Sequence, residues 1–274
     1  MDMISLRHIH KKYGRHPVLT DVNLTIQQGE IYGLIGKNGA GKTTLFKIIL
    51  GLTDFEKGQL SIAGSQSKSA LLQNRRKIGF FIGKNFFDYL TARENLEYYR
   101  RLKGIKDKRE IDRVLRLVSL QTTDAKFRSF SMGMKQRLGI ANAMLGFPEI
   151  LILDEPVNGL DPQGIADIRH LIIKLNREYD TTVIVSSHVL NELEHTATRF
   201  GIIDHGQVLR EITHQDLKIR SNKIQIRVDD YEKAKQLLIQ NHISVLQESS
   251  EYKSLEDYYF ELMGEDAHES LYCR

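Results

Sequence analysis

The sequence predicts an α/β fold: a parallel core sheet covered by helices on both faces, with a β-rich N-terminal part, an inserted α-helical subdomain and a small α+β appendage at the C-terminal end. Three observations carry that expectation. The uniformly apolar segments "IYGLIG", "EILILDEP" and "TTVIVSSH" are separated by stretches of helical period, the pattern of strands buried on both faces. A glycine-rich run, "GKNGAGKT", joins one such strand to a helix. The segment "ILILDEP" ends its apolar run in two adjacent acids, at the edge where a parallel sheet presents its strand ends.

Each element can be justified in turn. "ISLRHIHKKYG" alternates apolar and polar residues, Gly14 marks a turn, and "VLTDVNLTIQQGE" alternates again before Gly29. After the strand "IYGLIG", the period changes: Leu45, Ile48, Ile49 and Leu52 recur at helical spacing, with Gly51 near the helix end. Helices dominate from Ser69 to Met144, interrupted by a short strand, Ile78 to Ile82, that stops at Gly83. Thr91 with Glu94 three residues on forms a capping box and opens "ARENLEYYRRLKG", which stops near Gly104. "KREIDRVLRLVSL" carries Ile111, Val114, Leu115 and Val118 on one face, and "MKQRLGIANAMLG" ends before Pro148. A helix is expected from about Gln163 to Tyr179. Past Arg210 the texture shifts to "KIQIRVDD" (strand), "YEKAKQLLIQN" (helix), "HISVLQ" (strand) and "LEDYYFELMG" (helix). The expected organisation is a main domain at 1–213, with its helical subdomain at about 84–145, and an appendage at 214–274.

Composition narrows the class. With 41% hydrophobic and 27% charged residues over 274 positions, the chain reads as an ordinary globular protein. No apolar run approaches the roughly 20 residues that cross a bilayer, and "MDMISLRHIHKKYG" lacks a secretory core. A single cysteine, Cys273, excludes a disulfide framework and a cysteine-based zinc site, which points to a cytosolic chain. The net charge of +4 is too small to imply nucleic acid. The charge is uneven, however: Lys68 to Arg137 holds eighteen Lys/Arg against seven Asp/Glu. That segment is either a solvated helical surface or a face near anionic headgroups or an acidic partner.

The chemistry concentrates in two motifs. "GKNGAGKT" fits the phosphate-loop pattern, in which glycines let backbone N–H groups turn inward around phosphates at a helix N-terminus. Gly36, Asn38, Gly39, Ala40, Gly41, Lys42, Thr43 and Thr44 are the expected nucleotide-binding residues, with Lys42 on the β/γ-phosphates and the Thr43 hydroxyl on Mg²⁺. Strand alternation sends Asp154 and Glu155 in different directions, so Asp154 is the expected Mg²⁺ partner and Glu155 the base for the attacking water.

"FSMGMKQR", Phe130 to Arg137, completes a set. With it, the first 210 residues or so resemble the ATP-binding subunit of ABC transporters. "SMGMKQ" stands where that family has its signature, at a helix start and 23 residues before Asp154. The resemblance implies that Ser131 and Gly133 grip the γ-phosphate of ATP held by the opposite subunit. Met132 and Met134 depart from the family's glycine and glutamine. "NGLDP", Asn158 to Pro162 and including Asp161, looks like the loop that lines the dimer seam. His188, 34 residues after Asp154, looks like the switch histidine that contacts the γ-phosphate. Tyr13 sits where the family stacks an aromatic on adenine, with Tyr32 nearby.

What the resemblance implies is an ATPase that binds ATP and Mg²⁺ and closes as a head-to-tail pair, with itself or a close relative, beneath integral membrane permease subunits. It would sit on the inner face of the cell membrane. "FSMGMKQRLGIA" and the C-terminal "LEDYYFELMG" resemble the bacitracin- and lantibiotic-resistance type of exporter. The competing readings are a soluble ATPase of the same kind without a membrane partner and a regulatory module that holds ATP; the presence of Glu155 argues against the second.

One position departs more sharply. Family members end the strand "IGFFIG" in a glutamine or glutamate that ligates Mg²⁺, and here that position is Gly83. A water in the vacated ligand position, an amide from Asn85, or looser coupling are the expected outcomes. Phe86 and Phe87 just beyond are read either as an exposed socket for a membrane subunit or as buried in the helical subdomain.

Overall fold

The structure is a computed structural model and describes residues 1–83, 85–213, 216 and 230–241. The alternating N-terminal stretch forms β1 (Asp2–Tyr13) and β2 (His16–Gln27), antiparallel, with β4 (Lys57–Ile62) on the other edge of β1. The second sheet has the order β5 (Ile78–Phe81), β6 (Ile150–Asp154), β7 (Thr182–Ser187), β3 (Ile31–Ile35), β8 (Arg199–Asp204), β9 (Gln207–Thr213). Its neighbours run parallel from β5 to β8, and β9 returns antiparallel on β8 through a tight turn.

Alternation along the parallel strands builds two cores, one on each face. Tyr32, Leu34, Ile152 and Ile184 join Leu6, Ile26 and the buried residues Leu45, Ile48 and Ile49 of α1 (Lys42–Leu50). Ile31, Leu151, Leu153, Val183 and Val185 face the other way. They meet Leu138 and Ile140 of α5 (Met132–Ala143) and Ile168, Ile172 and Leu175 of α6 (Pro162–Tyr179). Burial on both faces is why these strands read as unbroken apolar runs.

The helical subdomain follows its sequence signals. The capping box closes at α3 (Ala92–Leu102), where Thr91 Oγ1 accepts from Glu94 N and Glu94 Oε2 accepts from Thr91 N. On α4 (Arg109–Leu117), Ile111, Val114 and Leu115 enter the core together with Val118. The helix α2 (Lys68–Arg75), capped by Ser67, falls in the stretch expected to be helical; none of its residues is fully buried, and Leu71 packs half-buried on the core. The helix α6 starts one residue before its expected position because Asp161 caps it and Pro162 supplies a pre-set φ at the first turn. A short α7 (Leu190–Glu194) follows β7.

Some of the basic side chains of this region pair with acids, most of them the region's own, so most of its basic excess remains. Arg93 pairs with Asp112, Arg100 and Arg101 with Glu97, Arg109 with Asp107, Arg113 with Glu110, Lys126 with Glu94 and Arg137 with Asp167. Hydrogen bonds from Arg100 and Arg101 hold the Glu97 carboxyl down at about 2.

The reading of Phe86 and Phe87 as an exposed pair needs correction: both are half-buried. Phe86 packs on Phe127 at 5.2 Å and Tyr99 at 5.7 Å between ring centroids, and Phe87 packs on Tyr98 at 5.0 Å. The rings left exposed at this edge are Tyr89 and Tyr98. The loop is fastened from below by Asn95, which is fully buried. Its Oδ1 accepts from Phe87 N at 2.8 Å, and its Nδ2 donates to the carbonyls of Phe87 and Thr91 at 3.2 and 3.0 Å.

The chain divides into two units, Met1–Lys218 and Ile219–Arg274. In the second, α8 (Tyr231–Gln240) stands where "YEKAKQLLIQN" predicts it, with Asp230 Oδ1 accepting from Lys233 N. The strands expected at "KIQIRVDD" and "HISVLQ" and the helix at "LEDYYFELMG" lie outside the described residues, Asp230 excepted. Among the described residues no helix is long and apolar enough to cross a membrane.

Replacing Asn95 with alanine strands a buried N–H and several carbonyls. Asn95→Ala is expected to cost about 2 kcal/mol or more of unfolding free energy, read as a lower denaturant midpoint at unchanged slope.

Candidate active site

The site assembles at one sheet edge because β3, β6 and β7 end level with each other. Ile35 pairs with Ser187 and Asp154 with Ser186 across the ladders. The loop that leaves β3 is pinned against its surroundings: Gly36 N donates to Ser187 O at 3.2 Å and Gly206 N to Ala40 O at 3.1 Å. Two of its glycines are there for space. A Cβ on Gly36 would lie 2.3 Å from Ile203 O, and one on Gly41, at φ 108°, 2.6 Å from Leu19 Cδ2.

Gly41 also caps α1 with no side-chain acceptor, so backbone N–H groups at that helix start are left to a ligand. Asn38 and Gly39 form the exposed tip of the loop, Ala40 is buried, and Thr43 and Thr44 follow on the first turn of the helix. The Lys42 side chain is buried and curls back over the loop. Its Nζ donates to Gly36 O at 2.6 Å and Lys37 O at 3.2 Å and pairs with Glu155 Oε1 at 3.1 Å.

The two acids point different ways, Asp154 at the end of β6 and Glu155 just past it. Asp154 is gripped by hydroxyls on both oxygens, Thr43 Oγ1 donating to Oδ2 at 2.6 Å and Ser186 Oγ to Oδ1 at 2.7 Å. Glu155 turns away through a left-handed backbone, φ 50°, a conformation that costs a non-glycine residue about 1 kcal/mol or more. Its Oε2 lies 3.2 Å from both Asn158 Nδ2 and His188 Nδ1. Lys42, Thr43, Asp154, Glu155 and His188 are therefore one constellation.

The remaining expected residues lie apart from it in their hydrogen bonding. Ser131 caps α5, its Oγ accepting from Met134 N at 3.2 Å, and Asp161 caps α6, accepting from Gly164 N at 2.9 Å. A Cβ on Gly133 would approach nothing closer than Leu160 at 3.9 Å and Ser131 Oγ at 4.0 Å, so this helix start is open. Tyr13 is 47% exposed at the end of β1, with Lys11 Nζ 5.0 Å from its ring centroid. Tyr32 is no rival for stacking: it is fully buried and its hydroxyl donates to Glu211 Oε1 at 2.8 Å. Gly83 has φ 69° and empty space where a side chain would begin, while Asn85 Nδ2 donates to Ile82 O at 3.0 Å.

Sequence reasoning missed Ser186 and the side-chain role of Asn158. The signal for Ser186 was available: a polar residue in a fully buried strand must find a polar partner.

Hard oxygen donors from Thr43 and Asp154, beside a loop of free N–H groups and a buried lysine, suit a polyphosphate with a small divalent cation. Together with the parallel sheet, this defines a phosphate-loop nucleotide hydrolase. The family model described as ABC transporter matches residues 19–158. The chain is 38% identical to the bacitracin transport ATP-binding protein BcrA of Bacillus licheniformis, over 96% of this chain and 97% of that one. It is 37% identical to the lantibiotic transport ATP-binding protein SrtF of Streptococcus pyogenes, over 76% and 90%. Among solved structures, the dimeric post-hydrolysis state of the ATP-binding cassette MJ0796 bound to ADP and Pi superposes with a TM-score of 0.69 at 30% identity, covering 77% of this chain and 98% of that one. The chain belongs to the ATP-binding chains of ABC transporters, and it is an ATPase.

Gly41 and Gly39 separate space from backbone strain, since both have positive φ but only Gly41 is crowded. Gly41→Ala is expected to weaken ATP binding far more than Gly39→Ala and to cost about 1–3 kcal/mol of stability through overpacking, measured by calorimetry and thermal melting.

Proposed function

We propose that this chain powers an exporter of antimicrobial peptides or related drugs, acting as one of two nucleotide-binding chains under integral membrane subunits on the inner face of the cell membrane. The observation that carries this reading is the likeness to the bacitracin transport protein over nearly the full length of both chains. The open helix start at Ser131 and Gly133 supports the pairing, because those residues are spare in one chain and available to ATP held by another. The exposed rings of Tyr89 and Tyr98, backed by Phe87, are the surface we assign to the membrane subunit. The appendage at 214–274 is taken as a support for the assembly rather than a cargo site.

In the proposed reaction, Lys42 turns from Glu155 to the β/γ-phosphates. Glu155 then accepts a proton from the water that attacks the γ-phosphorus, and ADP departs. His188 and Asn158, both on Oε2, hold the carboxylate in place for that transfer. Tyr13 offers adenine one face of its ring while Lys11 occupies the other. Thr43 and Asp154 are the residues that would hold Mg²⁺, which supplies charge neutralisation on the phosphates. At Gly83 no side chain could join them, and water would take that position.

Glu155→Gln is expected to lower steady-state phosphate release by about 10²–10⁴-fold with ATP binding retained; equal rates remove Glu155 from the role. Gly83→Gln is expected to shift the Mg²⁺ dependence of turnover, and an unchanged dependence removes this loop from the metal site. The cargo is tested in the cell of origin. Loss of the chain is expected to lower resistance to bacitracin- or lantibiotic-type peptides, restored by the wild-type chain and not by Glu155→Gln, and undiminished resistance overturns the assignment.

A further inference from the structure

Ser186 stands at the point where the two acids part. It is fully buried on β7, directly across the ladder from Asp154. Its hydroxyl has one proton and places it on Asp154 Oδ1 at 2.7 Å, while the same oxygen accepts from Glu155 N at 2.9 Å. The result is a chain of bonds, Glu155 N–H to Ser186 Oγ–H to Asp154 Oδ1, in which each donor polarises the next. Thr43 fills the other carboxylate oxygen, so the plane of Asp154 is set from both sides.

We infer that Ser186 is a positioning residue for ATP hydrolysis, fixing Asp154 for the metal and Glu155 for the water through one hydroxyl. Two independent features meet in it. A carboxylate with one oxygen untied rotates about its last bond, and Ser186 removes that freedom on the side Thr43 does not reach. The left-handed turn at Glu155 is tied by two backbone bonds, Glu155 N–H to Ser186 Oγ and Asn158 N–H to Glu155 O. The Glu155 carboxylate, aimed at Lys42 and His188, depends on that turn. Valine would fill the volume in this apolar strand, yet it would leave a buried amide and a buried carboxylate oxygen unpaired.

The inference rests on the reading of Thr43 and Asp154 as Mg²⁺ ligands, and its test keeps the two apart. The full chain is loaded with a non-hydrolysable ATP analogue and titrated with Mg²⁺ by calorimetry, as wild type, Ser186→Ala and Ser186→Thr; phosphate release is measured on the same samples, per folded chain. Wild type is expected to bind Mg²⁺ in the loaded state; if it does not, the metal reading itself fails. Ser186→Ala is expected to weaken Mg²⁺ about 10-fold and to lower kcat about 10–100-fold, with KM for ATP changed far less. Ser186→Thr, which keeps the hydroxyl, is expected to recover most of both. Wild-type Mg²⁺ binding and wild-type kcat in Ser186→Ala would overturn the inference. So would a loss of activity that vanishes when counted per folded chain, since a merely structural serine lowers the folded fraction and leaves the Mg²⁺ affinity alone.

Discussion

The site depends on the register of three adjacent parallel strands. Side chains alternate along a strand, so a slip of one residue between β6 and β7 would send Ser186 to the other face and separate it from Asp154. The same slip of β7 would carry Ile184 out of one core and towards the other. The apolar packing on the two faces thus enforces the polar geometry at the edge. Side chains that never approach a nucleotide decide where Thr43, Asp154 and Glu155 stand.

Within that frame the charged groups satisfy one another at short range. Lys42 is buried, a costly position for an ammonium, and its charge is shared between two loop carbonyls and Glu155. Glu155 in turn meets Asn158 and His188. In the proposed reaction an arriving polyphosphate would offer Lys42 a stronger partner than the carboxylate does, so nucleotide binding and release of Glu155 would be one exchange of ion pairs. The surface charge of the helical subdomain works differently. Several of its arginines and lysines meet acids two to four residues away or on a neighbouring segment, and these exposed pairs contribute little individually.

Much of this was legible in the residue order. The strands "IYGLIG", "EILILDEP" and "TTVIVSSH" declare themselves because both faces are buried, and Thr91 and Glu94 declare α3 because the capping box is local chemistry. The phosphate loop and the paired acids are local too. The rest depends on contacts between distant segments. Asn95 looks like any polar residue on a helix until the loop from Phe87 to Thr91 folds over it. Ser186 has no meaning until β6 lies beside it. Phe86 and Phe87 could be read as exposed or buried because a pair of aromatics carries no sign of which way the chain will turn; Phe127 and Tyr99 settle that for Phe86. The helix α2 lies within the stretch read as helical, although none of its residues is fully buried.

The position of β3 bears on how the protein is made. It is laid down early, yet both of its neighbours, β7 and β8, arrive late, and the contact between Gly29 N and Thr182 Oγ1 spans 153 residues. The wall behind Gly36 is Ile203, and the bond that steadies Ala40 comes from Gly206. A ribosome that has released only the first half of the chain has delivered the phosphate-loop motif and Leu19 beside Gly41, but not Ile203 behind Gly36 or the bond from Gly206. A chain cut short before β8 would carry the motif with that side of the loop unsupported.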